Sequence, residues 1–209
     1  MRGTPPSERF RNLDRVSVTN LEAVVAHELN HVMTAPMLYT DEAGSVPWKQ
    51  RVTREIVSEG IAFLCNPLNG FQKDVWEDRT TLAAMVKDLN DTFEAYQKNI
   101  IGDEELSDWF GSTFQERATA HLARYLKRAY PDSNLIQMVR DHSIYRPDLV
   151  HALGSWMVAR VTSHGEKKET VAMLLEDPSM VYSLYNATLD PGMEDLAIPP
   201  DVVALMKQE

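Results

Sequence analysis

Thr19-Asn20-Leu21-Glu22-Ala23-Val24-Val25-Ala26-His27-Glu28-Leu29-Asn30-His31-Val32-Met33 is the stretch on which the reading of this chain turns. Leu21, Val24, Val25, Ala26, Leu29, Val32 and Met33 recur at helical spacing, so the segment predicts a buried helix from about Asn20 to Thr34. Pro36 is expected to stop it, and Thr19 with Glu22 has the spacing of a capping box. Two histidines four apart lie on one helix face, with Cβ atoms roughly 6 Å apart. Both imidazoles of His27 and His31 can then reach one metal ion at about 2.0–2.1 Å. Glu28 lies about 100° further round the helix, where its carboxylate flanks such an ion without ligating it and can take a proton from a water on it. By chance this pattern arises on the order of once in a hundred chains of this size. The competing reading is a solvated histidine pair, or core histidines satisfied by backbone carbonyls.

The 209 residues suggest one domain with enough length for a sizeable core. Hydrophobic residues at 44% and charged residues at 25% are a globular balance, not a disordered one. A net charge of −10 argues against a nucleic-acid partner, because no basic stripe is present to neutralise phosphates. Cys65 is the only cysteine, which excludes an intramolecular disulfide and any cysteine-based zinc site. It is expected to pack in the core beside Phe63 and Leu64. No apolar run approaches transmembrane length, and Met1–Pro6 has no signal-peptide character. Compartment and oligomeric state stay open.

Outward from the motif the chain reads as a succession of helices with no convincing strand. After the turn formers of 40–45, a second helix is predicted from Pro47 to Cys65, closed by Pro67, Asn69 and Gly70. Asp74 to Asn99 carries Leu82, Met85, Val86, Leu89, Phe93 and Tyr96 on one face, with Gly102 after it. Glu104 to Tyr130 is read as helical with a break near Gly111-Ser112, and Pro131–Pro147 as less regular. Shorter helices are expected over Asp148–Ser163, Glu166–Glu176, Pro178–Ala187 and Asp201–Lys207. Val16-Val18 is read as a remnant strand. The fold class is therefore predominantly α. Residues 1–209 form one domain: an irregular segment 1–18, the motif helices 19–66, a helical lobe 70–188 and a tail 189–209.

Two histidines and a water leave a zinc site one protein ligand short. The stretch Arg54-Glu55-Ile56-Val57-Ser58-Glu59-Gly60-Ile61-Ala62-Phe63-Leu64 supplies candidates, and here the chain resembles the gluzincin metallopeptidases. The pattern Glu59-Gly60-Ile61-Ala62 is similar to the glutamate-bearing stretch of several such families. The resemblance implies a zincin-like helical domain with one Zn2+ held by His27, His31 and Glu59, Glu28 as general base, and a peptide or protein substrate. Glu55, one turn earlier, is the other candidate ligand or an acceptor from a ligand histidine. Gly60 and Ala62 are small, which would let this helix approach the motif helix closely. The metzincin pattern is absent, because Pro36-Met37-Leu38 follows the motif.

The likeness extends, on weaker motifs, over His151-Ala152-Leu153-Gly154-Ser155-Trp156-Met157 and the later Asp177-Pro178 … Tyr185-Asn186, which are similar to uncharacterised bacterial zinc-dependent peptidase families. It implies that the Gly154 helix borders the site, making His151 the preferred oxyanion donor. Tyr145, His142, His164 and Tyr185 are the other candidates. His121, among Arg117, Arg124 and Lys127, is assigned to a solvated face and set aside. Trp48, Trp76, Trp109 and Trp156 are read as packing residues. Two departures stand out. Gluzincins place a β-sheet before the motif helix, and few residues precede it here; Phe63 occupies the place where some relatives have a histidine-orienting aspartate.

Two rival readings lie outside hydrolysis. In a helical di-iron carboxylate bundle Glu28-x-x-His31 would be one half-site, but no second Glu-x-x-His exists and Asp148-x-x-His151 is the nearest. The other rival is an inactive zinc-binding interaction module, against which the intact Glu28 speaks.

Overall fold

A computed structural model describes residues 18–38, 48–65, 78–102, 114–129, 131 and 149–207. Among them the structure is predominantly helical, and no strand occurs. The helices are α1 (Val18–Leu38), α2 (Trp48–Cys65), α3 (Arg79–Gln97), α4 (Phe114–Ala129), α5 (Leu149–Ser163), α6 (Lys167–Glu176), α7 (Met180–Ala187) and α8 (Pro200–Met206), with a 3-10 turn at Glu194–Leu196.

Helices α2 and α5 form the centre. Val52, Ile56, Val57 and Ile61 of α2 pack with Leu153, Met157, Val158 and Val161 of α5, all essentially inaccessible to water. Each such side chain contributes about 1.5–3 kcal/mol of transfer free energy. Two glycines set how close these helices come. A Cβ on Gly60 would lie 2.3 Å from Val158 Cγ2 and 2.4 Å from the Gly154 carbonyl oxygen. A Cβ on Gly154 would lie 2.4 Å from the carbonyl oxygen of Ile56. Gly60 thus serves the crossing of α2 with α5, and α2 also packs against the motif helix.

The amphipathic face predicted for α3 is observed: Leu82, Met85, Val86, Leu89 and Phe93 are buried. Asp78 caps the helix by accepting from the Thr81 N–H at 2.9 Å. At the other end Asn99, with φ of 54°, ends α3 before Gly102 is reached. Ile100 N–H bonds to Ala95 O and Asn99 N–H to Tyr96 O, each at 2.9 Å, the paired bonds of a Schellman turn.

The late Tyr-Asn motif ties down the tail. The Tyr185 hydroxyl, buried in the core, donates to Leu196 O at 3.1 Å and accepts from Trp156 Nε1 at 3.1 Å. Asn186 brackets Ile198, donating to its carbonyl at 2.7 Å and accepting from its N–H at 2.9 Å. Trp156 is a packing residue, as expected. Arg160 adds a bond from Nε to Thr188 O at 3.1 Å, which joins α5 to the end of α7.

Several expectations are corrected. Helix α1 runs through Pro36 to Leu38. Leu38, 1% exposed, is seated in the core, and its burial offsets the hydrogen bond that proline removes. Thr19 therefore lies inside the helix and not at its cap, and Val18 opens a helix where a strand remnant was expected. More consequential is the direction in which α1 faces. Val25, Leu29, Val32, Met33 and Met37 are exposed, Met33 by 75%. His121 is not solvated: it is 7% exposed, and its Nε2–H donates to Asp88 Oδ2 at 2.7 Å. Arg124 can only donate, so its bond to His121 Nδ1 assigns the ring proton to Nε2. Charge spacing along α4 hid a polar link to α3.

The expected irregular segment at 132–147, the break at Gly111-Ser112, Tyr145, His142, Trp76 and Trp109 lie outside the described residues, as do the side chains of Cys65, Trp48 and His151.

Candidate metal centre

The inward face of α1 carries the two histidines. At 100° per residue, His27 and His31 lie within about 40° of each other, while Val25, Leu29, Val32 and Met33 cluster on the opposite side. The helix is thus turned with imidazoles inward and aliphatics outward. Helix α2 meets the inward face with Ser58, Glu59 and Phe63.

Three ligating groups converge there: His27, His31 and Glu59. Nε2 of His27 and Nε2 of His31 are 3.1 Å apart. Glu59 Oε2 lies 3.4 Å from His27 Nε2, and Glu59 Oε1 lies 3.4 Å from His31 Nε2. Around a tetrahedral ion with bonds of 2.0–2.1 Å, neighbouring ligand atoms are about 3.3–3.4 Å apart. The observed separations match within a few tenths of an ångström. Two imidazoles and a carboxylate are also a donor set suited to a divalent ion with one open position. The group could hold a metal ion, and the residues present fit one.

Burial is graded across the triad. The side chains of His27, Glu59 and His31 are 11%, 17% and 26% exposed. Solvent therefore reaches the group from the His31 side.

Two contacts from α2 hold the imidazoles. His31 Nδ1 is 2.9 Å from Ser58 Oγ. The Phe63 ring meets the His27 ring edge-on, with centroids 4.8 Å apart and planes at 66°. Phe63 marked only a missing aspartate in the sequence; in the structure it is a wall that fixes His27 by packing. Ser58 was overlooked, although its place immediately before Glu59 was a usable signal.

The remaining site candidates divide clearly. Glu28 is exposed, about 60° round α1 from His31. Glu55 does not join the ligating group, so the structure favours Glu59 of the two carboxylates. Tyr185 cannot serve as an oxyanion donor, because its proton is committed to Leu196 O in the core. His164 is exposed beyond the far end of α5, its Nδ1 donating to Arg160 O at 2.9 Å. Ten residues of helix, about 15 Å, separate it from the Gly154 crossing beside Glu59. His151 lies in the first turn of α5, which places its backbone at the other end of that helix.

These features define a helical protein with a His-His-Glu group able to bind a metal. Comparison of the chain with protein-family models, with curated proteins and with solved structures finds no match in any of the three. No described helix is long and apolar enough to cross a membrane.

Proposed function

We propose that the chain is a zinc-dependent peptidase of gluzincin type, acting on a peptide or protein substrate. The observation that carries this reading is the convergence of His27, His31 and Glu59 at 3.1, 3.4 and 3.4 Å. A zinc ion bound there supplies Lewis acidity toward a water and toward the scissile carbonyl. His27 and His31 hold it as neutral imidazoles, and Glu59 offsets part of its charge. Glu28, on the solvent side of the pair, accepts the proton of the attacking water and passes it to the leaving amine. The exposed position of Glu28 supports this role, since a proton shuttle needs access to both water and substrate. His151 remains the proposed oxyanion donor.

Metal content tests the reading. The chain purified without added metal, and again after supply of zinc, is analysed by elemental mass spectrometry beside His27→Ala. Near-stoichiometric zinc that disappears in the variant supports it; no uptake by the wild type refutes it. Glu28→Gln then separates chemistry from binding: zinc is retained and hydrolysis of a peptide library is abolished.

A second reading has its own observation. The exposed aliphatic face of α1 favours an inactive zinc-binding interaction module. Metal-dependent hydrolysis that is lost in Glu28→Gln rules that module out.

A further inference from the structure

We infer that Ser58 is the positioning residue of this metal group, its hydroxyl accepting from His31 Nδ1–H and thereby holding the Nε2 lone pair on the ion. The inference rests on the metal reading above and deepens it. A neutral imidazole carries one proton. The Nε2 of His31 faces His27 Nε2 and Glu59 Oε1, so ligation there needs the lone pair on Nε2 and the proton on Nδ1. That proton points into a largely buried place, where a donor without an acceptor is costly. Ser58 Oγ stands 2.9 Å away, on a residue only 5% exposed.

The placement follows from the chain. Ser58 and Glu59 are consecutive on α2, so one turn of helix supplies both the third ligand and the acceptor for the second. The Gly60–Gly154 crossing fixes that turn against α5. A displacement of α2 would move ligand and acceptor together, keeping their relation to each other while changing both relations to His31 on α1. The choice of a hydroxyl also has an electrostatic consequence. A carboxylate behind His31 would add negative charge and make the imidazole a stronger donor; a serine orients the ring without doing so. The bound ion then keeps more of its Lewis acidity.

Zinc affinity measured by competition with a chromophoric chelator tests this, with the d–d absorption of the cobalt(II)-loaded protein as a second readout. Ser58→Ala is expected to bind zinc about 10–100-fold more weakly and to shift the cobalt spectrum, while the melting temperature of the metal-free protein stays nearly unchanged. Thr and Val have the same shape and differ by the hydroxyl alone, so Ser58→Thr should restore most of the affinity and Ser58→Val should not. This pair decides the matter if the alanine variant fails to fold. Equal affinity of the Thr and Val variants, or wild-type affinity in Ser58→Ala, overturns the role of Ser58. If His27→Ala still abolishes binding in the same assay, the metal centre itself stands. A wild-type chain that takes up no zinc overturns both.

Discussion

Gly60 and Gly154 face each other where α2 crosses α5, and a Cβ added to either would strike backbone of the other helix. A Cβ at Gly60 would come within 2.4 Å of Gly154 O, and one at Gly154 within 2.4 Å of Ile56 O. Neither obstacle is the tip of a flexible side chain, so the helices themselves must separate. Gly60→Ala is expected to destabilise the fold by about 1–3 kcal/mol, the usual cost of overpacking. Denaturant unfolding measures it. Because Glu59 is the neighbouring residue, zinc affinity should fall as well; an unchanged melting curve would contradict the packing described.

Glu59 and Glu55 share a face of α2, yet only Glu59 joins the histidines. Glu59→Ala should weaken zinc binding by more than the about 10–100-fold that loss of an outer partner costs. Glu55→Ala should leave it unchanged. Calorimetric titration with zinc reads both, and the reverse order would move the third ligand one turn back.

Asp78 gives a pH-dependent signature. Burial pushes its carboxyl up, but bonds from the Thr81 hydroxyl and N–H and from Arg128 outweigh this and leave it below the ordinary carboxylate range. A carboxyl depressed in the folded state contributes stability that is present above its unfolded pKa, about 3.9, and lost as pH falls through the folded value. Asp78→Ala should cost about 0.5–2 kcal/mol at neutral pH through loss of the cap. The gap between wild type and variant should narrow below about pH 4. A gap independent of pH would mean that the charge plays no part.

Val32 and Met33 are 70% and 75% exposed. Replacing both with Gln should change stability by no more than about 0.5 kcal/mol per site, as for ordinary surface positions. Thermal melts that fall by many degrees would show that this face is covered.

The helical class, the positions of most helices and the His27–His31 pair were legible because each depends on local spacing. Apolar residues at three and four apart mark a buried face on α3, and two histidines four apart must share a side of any helix. The same logic failed on α1. Its aliphatics were read as the buried side, but burying them would turn both imidazoles away from α2. Periodicity identifies two faces without saying which one the core receives. On α4, His121 looked solvated among cations, because Asp88 comes from another helix. The capping role of Thr19 failed for a smaller reason: the helix already begins at Val18, one residue ahead of it.

What the sequence determined by itself was the set of candidate ligand types, their spacing on two helices and the presence of a single cysteine, since these follow from residue identity and the 3.6-residue turn. Only the tertiary structure decided that Glu59 and not Glu55 joins the pair, that Ser58 and Phe63 hold the two rings, and that Tyr185 and Asn186 serve the tail and not the site. Those choices depend on how α1, α2 and α5 pack. The separation of α2 and α5 is set by two glycines ninety-four positions apart, Gly60 and Gly154. No local pattern of residues encodes such a distance, because it exists only once the helices meet.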